Sequence, residues 1–338
     1  MADDPSRPRV FSGMQPSGEA HLGNYLGALR QWVELQESHE CYFCIVDEHA
    51  VTGGDYAPAD FPNRVFDLAL SYLAVGLDPE RSTIFVQSDV PAHTALAWLF
   101  NSVAAVGELE RMTQFKDKSR SLESVPAGLL NYPVLQAADI LLYRAEWVPV
   151  GEDQLQHLEL SREIARRWNA RFGEFFPEPQ PLIGGVGRIL GLDGGSKMSK
   201  SLGNTVGILA GPEEIRARVR TAVTDPQRIR RTDPGRPEVC NVFTLHGFFA
   251  PSDEVEDVAT RCRDATRGCV DCKRILSDRI SGHFAEARER AQELSARPGR
   301  IREVLDAGAE RARREAARTL GEVRERMGMR WRGLEGLA

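Results

Sequence analysis

A short apolar segment, a turn rich in glycine and proline and an amphipathic helix pattern follow one another between residues 11 and 28. This succession constrains the fold most strongly. The turn contains Gly13, Pro16 and Gly18, and the helix pattern begins near His21. Such a unit can bind an anion, because unpaired backbone N–H groups and the helix dipole point at the ligand. The loop fits neither G-x-G-x-x-G nor G-x-x-x-x-G-K-[ST], so a nucleotide bound here would belong to neither class. Alone, the stretch is more typical of an ordinary first turn between a strand and a helix.

The length of 338 residues leaves room for two domains, and 27% charged with 42% hydrophobic residues is typical of a globular protein. No uninterrupted apolar run reaches the roughly 18 residues of a membrane span, so no membrane association is predicted. The first residues are polar and acidic, unlike a secretory signal. We therefore expect a cytoplasmic protein whose six cysteines are reduced or bind metal.

The cations are unevenly distributed. A net charge of −6 argues against a general nucleic-acid binder, and no DNA partner is predicted. Seven arginines between Arg216 and Arg236 form a local basic band, which predicts either contact with an RNA backbone or an ordinary solvated surface. Only five of the 43 cations are lysines, and four of them lie in two short segments, 116–118 and 197–200. A lysine ammonium on its flexible stem can follow a moving phosphate, so both segments are predicted to act on phosphates.

Strand and helix patterns alternate in the first part of the chain. Strand patterns lie at residues 9–14, 41–46 and 83–87, and helix patterns lie between them at 24–36 and 62–75. This alternation predicts an α/β fold with a Rossmann-like nucleotide-binding domain built on a parallel sheet.

The rest of the chain is predicted to be mostly helical. The apolar segment 94–109 is interrupted at Asn101 and Ser102 and predicts a core helix. After residue 203 the pattern becomes almost wholly helical and ends in a long amphipathic helix. We therefore predict a nucleotide-binding domain at residues 1–205 and an α-helical domain at 206–338.

Two short motifs narrow the function. Residues 194–201 read Gly-Gly-Ser-Lys-Met-Ser-Lys-Ser, which sets two lysines three residues apart on a glycine-led loop. With His21-Leu22-Gly23-Asn24, this segment resembles the KMSKS and HIGH signatures of class I aminoacyl-tRNA synthetases. The first signature departs from the family pattern, since Leu22 replaces Ile and Asn24 replaces the second His. An asparagine can still donate to a phosphate or ribose oxygen.

Four longer segments resemble the tryptophan- and tyrosine-specific subgroup, and in detail bacterial tryptophanyl-tRNA synthetases. They are F-x-G-x-Q-P-S-G from residue 11, G-E-L-E-R-M-T-Q-F-K-D-K from 107, Y-P-x-L-x-A-A-D-I-L-L-Y from 132 and V-P-V-G-E-D-Q from 148. The resemblance implies activation of L-tryptophan by ATP, transfer of tryptophan to tRNA(Trp), and a homodimer. The alternatives are a tyrosyl-tRNA synthetase and a small-molecule nucleotidyltransferase of related fold, which would lack the helical C-terminal third.

The same resemblance implies a role for each matching residue. Asp139 would accept a hydrogen bond from the indole N–H, and a buried acceptor of this kind rejects analogues that lack the donor. The remaining residues of the tryptophan pocket are Phe11, His49, Tyr132, Gln136, Val148, Val150 and Gln154. The ATP-binding residues are Gln15, Pro16, Ser17, Gly23, Asn24, Gly151, Glu152, Asp153, Ile189, Lys197, Met198, Ser199, Lys200 and Ser201. The catalytic residues are Gln15, Asn24, Lys118, Arg188, Lys197 and Lys200. Gln136 departs from the methionine common in this family.

The implied chemistry needs no nucleophile from the protein. The carboxylate of tryptophan attacks the α-phosphorus of ATP in line, while Mg²⁺ and the lysines stabilise the charge that spreads onto pyrophosphate. The terminal adenosine of tRNA then attacks the mixed anhydride. Positioning supplies most of the rate.

The cysteines form two groups. Cys41 and Cys44 lie in one strand pattern and should point to opposite faces, which predicts buried structural residues. The other four cysteines occur within 33 residues, and four thiolates suit a zinc ion or an iron–sulfur cluster. Their spacing resembles that of tryptophanyl-tRNA synthetases with a C-terminal 4Fe–4S cluster, so we predict such a cluster, with zinc as the alternative and free thiols last. The predicted ligands are Cys240, Cys262, Cys269 and Cys272.

Overall fold

The computed structural model describes residues 7–52, 57–120, 122–151, 154–184, 187 and 189–329. Five strands form one sheet in the order β3-β2-β1-β4-β5, and every neighbouring pair is parallel. The strands are β1 (Arg9–Met14), β2 (Glu40–Ile45), β3 (Ser82–Val86), β4 (Trp147–Val150) and β5 (Gln180–Ile183). The predicted Rossmann-like parallel sheet is confirmed, and the first three predicted strands lie within one residue of the observed ones.

The helices flank the sheet and form the C-terminal third. Those between the strands are α1 (Leu22–Asn24), α2 (Arg30–Leu35), α3 (Asp47–Val51), α4 (Phe61–Ala74), α5 (Ala92–Phe100), α6 (Val106–Leu109), α7 (Thr113–Ser119), α8 (Ala127–Leu142) and α9 (Leu155–Phe172). Those that follow β5 are α10 (Pro212–Arg220), α11 (Asn241–Phe249), α12 (Ser252–Arg263), α13 (Cys269–His283), α14 (Ala285–Ser295) and α15 (Pro298–Arg326). Short 3₁₀ turns lie at Gln87–Asp89, Lys200–Leu202 and Pro237–Val239.

Two predicted helices are interrupted. The helix pattern at 24–36 contains a π-helical stretch, Tyr25–Leu29, between α1 and α2, and π-helical turns are frequent at functional sites. The predicted core helix at 94–109 is two helices, α5 and α6, because the chain turns at Asn101 and Ser102, where the apolar pattern is also broken.

The strand order fixes where a ligand can bind. The chain adds β2 and β3 on one side of β1 and β4 and β5 on the other, so the order reverses between β1 and β4. In open parallel sheets, ligands bind at such a reversal, outside the carboxyl ends of the two strands. The segments that leave this edge begin at Gln15 and Gly151, which the sequence places in the ATP site.

The sheet separates two hydrophobic cores. Cys41 packs in the core that contains Trp32 and Phe43, whereas Cys44 packs in the core that contains Tyr143. Both cysteines are free and buried. The prediction that they point to opposite faces as structural residues is therefore confirmed.

The C-terminal helices return to the sheet. Arg311 of α15 donates to the backbone oxygens of Pro79 and Ser82 beside β3, and Arg290 of α14 donates to the backbone oxygen of Ala74. Gly308 of α15 lies so close to β3 that a Cβ there would be 1.8 Å from the oxygen of Ile84. The predicted domain boundary near residue 205 stays a prediction, but α14 and α15 belong to the packing of the N-terminal sheet.

Candidate active site

The first helical turn is closed by His21. Its Nδ1 accepts hydrogen bonds from the backbone N–H groups of Gly23 and Asn24, and Asn24 Oδ1 accepts one from the backbone N–H of His21. Burial, together with the charges of Lys200 and Lys197, lowers the pKa of His21 to about 4, so the ring is neutral and can accept near pH 7. The anion site that the sequence predicted from free N–H groups is therefore not formed by this turn, because the side chain of His21 occupies them.

The two signature motifs are in contact. The backbone N–H of Gly23 also donates to Met198 Sδ at 3.3 Å, and a Cβ at Gly23 would lie 3.2 Å from Met198 Cβ. Lys200 Nζ donates to the backbone oxygen of Ser17 at 2.8 Å, in the loop that leaves β1. Residues that are 175 and 183 positions apart in the sequence are thus in contact.

Opposing effects act on the pKa of the Lys200 ammonium. Burial lowers its pKa, while the nearby carboxylates Glu19 and Asp67 act in the opposite direction. Its hydrogen bond to Ser17 is made to a backbone oxygen, a partner that a phosphate oxygen can replace.

The lysine loop, residues 194–201, is fastened by two residues that the sequence analysis missed. Asn204 Oδ1 accepts from the N–H of Ser199, and its Nδ2 donates to Asp193 and to the backbone oxygen of Lys197. Asp193 Oδ1 accepts from the N–H groups of Gly195 and Ser196, and the hydrogen bond from Asn204 together with these two lowers the pKa of Asp193. The only signal was a polar residue just beyond the motif, after Gly203.

Other predicted ATP residues surround these contacts. Gln15, Ser17 and Gly151 are exposed at the sheet edge, as are Lys197, Lys200 and Ser201 in the loop. Pro16, Ile189 and Met198 are buried, so Ile189 and Met198 support the loop from the core. Glu152, Asp153 and Arg188 lie outside the described residues.

Asp139 of α8 is the centre of a buried network. Its Oδ1 accepts from His93 Nδ1 at 2.7 Å and from Gln87 Nε2 at 2.8 Å, and its Oδ2 accepts from His49 Nε2 at 2.7 Å. Burial alone would raise the pKa of Asp139, but the histidines that donate to it, His49 and His93, lower it to about 2. The side chain is 1% exposed, so an ionised carboxylate is buried together with its three donors.

Sequence analysis predicted Asp139 and His49 but missed His93 and Gln87. His93 is a lone histidine in the apolar run of α5, and Gln87 follows the apolar strand β3. Both signals are common in ordinary cores, so only the fold identifies Asp139 as their partner. His93 Nε2 also lies 2.8 Å from the hydroxyl of Tyr143.

Tyr132 lies beside this network. Its ring centroid is 6.3 Å from that of His49, and its hydroxyl bonds to Gln114 and, at 2.6 Å, to His157 Nε2. Burial raises the pKa of Tyr132 to about 12. Lys118 Nζ lies 5.8 Å from the Tyr132 ring, which brings a predicted pyrophosphate residue to the tryptophan pocket.

The apolar side of the predicted pocket comes from the strands. Phe11 of β1 stacks on Tyr143 with ring centroids 5.6 Å apart. Phe11 and Val148 are buried in the core that contains Asp139's helix, and Val150 packs against it. Gln136, three residues before Asp139 on α8, is half-buried, and Gln154 caps the start of α9.

The four C-terminal cysteines lie together. Cys240, Cys262, Cys269 and Cys272 line one cavity of about 20 Å³. Burial and the neighbouring thiols raise the pKa of Cys272 to about 12, and burial raises that of Cys262. In the described part of the chain, no group of three or more histidine, cysteine, aspartate and glutamate side chains is arranged to hold a metal ion. The predicted 4Fe–4S cluster and its zinc alternative are therefore not supported by this arrangement.

The basic band divides into two kinds of arginine. Arg218 donates to backbone oxygens, Arg228 bonds to the oxygens of Arg231 and Arg267, and Arg236 pairs with buried Asp225. Arg216 pairs with Glu213 and Asp278. The three that remain are exposed and make no side-chain hydrogen bond or ion pair with the residues that the structure describes; they are Arg220, Arg230 and Arg231.

Known proteins resemble this chain over almost its whole length. Residues 4–285 match the family described as tRNA synthetases class I (W and Y). The chain is 50% identical to the tryptophan–tRNA ligase of Deinococcus radiodurans, over 95% of this chain and 98% of that protein. It is 45% identical to that of Caldanaerobacter subterraneus, over 95% and 98%. A crystal structure of Campylobacter jejuni tryptophanyl-tRNA synthetase with ADP and tryptophan matches with a TM-score of 0.85 and 36% identity, over 95% of this chain and 99% of that one.

None of the described helices combines the length and apolar character needed to cross a membrane.

Proposed function

Because the chain belongs to the tryptophan- and tyrosine-specific class I tRNA synthetases, we propose that it is a tryptophan–tRNA ligase. It activates L-tryptophan with ATP and transfers the tryptophanyl group to tRNA(Trp). The ligase activity predicted from the sequence is confirmed at the level of its relatives, which are tryptophan–tRNA ligases. The observation that carries the specificity is the buried, ionised Asp139, held as an acceptor by three donors.

Asp139 selects the amino acid. The indole ring enters between Phe11 and the apolar residues Val148 and Val150, with its N–H directed at the carboxylate. Phenylalanine would leave this acceptor unpaired, and tyrosine would bring a hydroxyl on a ring of different shape. A buried acceptor site left without a donor costs about 1–3 kcal/mol or more, which disfavours phenylalanine, whereas tyrosine is disfavoured by the shape of its ring. Tyr132, Gln136 and Gln154 are proposed to surround the amino group.

ATP binds at the edge where the sheet order reverses. The proposed contacts are made by Gln15, Asn24 and Gly151 with the nucleoside, and by Lys118, Lys197 and Lys200 with the phosphates. Asn24 Oδ1 already accepts from His21, which leaves its Nδ2 as the donor for a nucleotide oxygen. The proposed site also includes Arg188, Glu152 and Asp153, which are assigned from the sequence motifs alone.

The activation step joins the tryptophan carboxylate to the α-phosphorus and releases pyrophosphate. Lys200 leaves the backbone oxygen of Ser17 and donates to the departing phosphates, where charge develops. Mg²⁺, when bound, would neutralise phosphate charge. It fits a site in which nucleotide oxygens supply most ligands, since the described residues offer no group of their own for a metal.

The transfer step requires tRNA(Trp), and this partner is inferred from the related tryptophan–tRNA ligases. The exposed Arg220, Arg230 and Arg231 are the proposed contacts with its phosphate backbone. A homodimer, a cytoplasmic location and the division at residue 205 are parts of the same proposal.

The experiment that tests the activity is ATP–pyrophosphate exchange with each amino acid in turn. Tryptophan should stimulate exchange, while tyrosine and phenylalanine should give rates near the blank. Charging of tRNA(Trp) tests the second step. Exchange stimulated by tyrosine alone would contradict the role of Asp139 in selecting tryptophan. If no amino acid stimulated exchange, the proposed activation of an amino acid would be wrong.

We propose in addition that the four-cysteine cavity holds the 4Fe–4S cluster predicted from the sequence. Its support is that Cys240, Cys262, Cys269 and Cys272 line one cavity and interact electrostatically. Binding requires these thiols to deprotonate and move toward one another, because a cavity of about 20 Å³ holds about one water-sized sphere. When bound, the group would brace the neighbouring Arg228 and Arg267, and no reaction step passes through it.

Metal content decides this second proposal. Protein purified without oxygen should be brown and contain about four irons per chain. Cys269→Ala should lose the colour and iron, whereas Cys41→Ala, in the sheet, should keep both. One zinc per chain without iron would replace the cluster by the zinc alternative, and no metal would leave four free thiols.

A further inference from the structure

His93 is fully buried, and its ring makes hydrogen bonds to Asp139 and Tyr143, neither of which is among the residues predicted to bind ATP. It lies on α5, with Nδ1 2.7 Å from Asp139 Oδ1 and Nε2 2.8 Å from the hydroxyl of Tyr143. Its exposed fraction is 0%. A buried histidine that makes hydrogen bonds through both ring nitrogens, one of them to Asp139, contributes more than packing to this part of the structure.

The protonation of His93 follows from its partners. Ionised Asp139 can only accept, so His93 Nδ1 carries a proton. The hydroxyl of Tyr143 has no other hydrogen-bond partner in the described part of the chain, so its proton is donated to Nε2. Hydrogen bonds therefore run in one direction, from Tyr143 to His93 to Asp139.

The network also fixes which acceptor site is left for a ligand. A carboxylate has about four lone-pair sites, and Asp139 uses two on Oδ1, for His93 and Gln87, and one on Oδ2, for His49. The remaining site lies on Oδ2. Gln87 is itself held, because its Oε1 accepts from the N–H of Glu48.

We propose that His93 is a positioning residue for tryptophan: with Tyr143 it fixes Asp139 through Oδ1 and thereby aims the free site of Oδ2 at the indole N–H. The inference rests on the proposed function and deepens it. His93 does not touch the substrate, and it acts only on the one bond that distinguishes an indole from a ring without an N–H.

Two substrates separate this role from general support of the pocket. β-(3-Benzothienyl)alanine has the shape of tryptophan but replaces the N–H by sulfur, so the ratio of kcat/KM for tryptophan to that for the analogue reports the hydrogen bond to Oδ2. Both values come from ATP–pyrophosphate exchange. His93→Leu removes the donor and should lower the ratio roughly 10- to 100-fold, the range of a hydrogen bond to a charged group.

Three further variants control the experiment. His93→Asn places an amide donor near the position of Nδ1 and should restore most of the ratio. Tyr143→Phe removes only the hydroxyl and should lower the ratio several-fold. Leu96→Ala, at a buried position on the same helix, should lower the melting temperature and leave the ratio unchanged.

The outcomes are distinct. A fall in kcat/KM of the same size for both substrates in His93→Leu, or no fall in either, overturns the proposal. If His93→Leu does not fold, Tyr143→Phe decides, and an unchanged ratio there overturns it. A wild-type protein that activates no tryptophan would reject the proposed function, which is a different result from an unchanged ratio.

Discussion

The proposed tryptophan pocket and the lysine loop hold their polar groups in opposite ways. Asp139 is 1% exposed and has three donors in place, whereas Lys200 is exposed and donates to the backbone oxygen of Ser17. A group that discriminates between substrates should be held rigidly, because it then cannot move to pair with a substrate whose donor is absent or misplaced. A group that follows a leaving phosphate must exchange partners, so one replaceable contact suits it.

The strongest test of this comparison is Asp139→Asn. The amide keeps the shape but replaces one of the two acceptor oxygens by an NH₂ donor among His49, His93 and Gln87, so at least one of their hydrogen bonds is lost. We expect kcat/KM for tryptophan to fall on the order of 10³-fold, mainly through KM, with KM for ATP little changed. Exchange kinetics with each substrate varied measures both constants. A loss under about 10-fold would mean that the pocket tolerates movement and that the comparison fails.

Lys200→Ala tests the other side. Loss of a donor used mainly in the transition state should lower kcat by roughly 10²–10³ while the affinity for tryptophan changes little. Lys273→Ala, at the lysine of α13 that lies outside both predicted phosphate segments, is the matched control and should be near wild type in ATP–pyrophosphate exchange. If Lys200→Ala instead raised KM for tryptophan at unchanged kcat, the lysine would belong to ground-state binding.

The smallest expected effect concerns His21 and the dependence of the free energy of unfolding on pH. Its pKa is about 4 in the folded protein and near 6.5 in an unfolded chain, so between these values the unfolded chain binds more protons. The free energy of unfolding should therefore decrease by about 3 kcal/mol as the pH falls from 6.5 to 4. His21→Asn keeps an N-cap acceptor and cannot titrate, so this part of the decrease should vanish.

Denaturant unfolding at several pH values checks the expectation. The quantity of interest is the difference between wild type and His21→Asn, because other groups titrate in both proteins. Equal slopes in the two proteins over pH 4–6.5 would show that burial and the nearby lysines do not lower the pKa of His21 in the folded protein.

The first strands and the motif residues could be predicted from the sequence because they depend on local patterns. Alternating apolar segments placed β1, β2 and β3 within one residue, and the single strand of Cys41 and Cys44 fixed their opposite faces. The motifs identified Asp139 and Lys200 before any contact was known. The break at Asn101 was visible as well, but its consequence, two helices rather than one, depended on how the chain turns.

The amino-acid sequence by itself determined the fold class, the family and the residue types of the site, since periodicity and short motifs are properties of neighbouring residues. Tertiary structure alone decided that His21 occupies the N–H groups expected to bind an anion, that His93 and Gln87 hold Asp139, and that Asn204 fastens the lysine loop. These are hydrogen bonds between side chains and distant or newly formed partners. A hydrogen bond depends on a distance of about 3 Å and on direction, and only the packed chain fixes both.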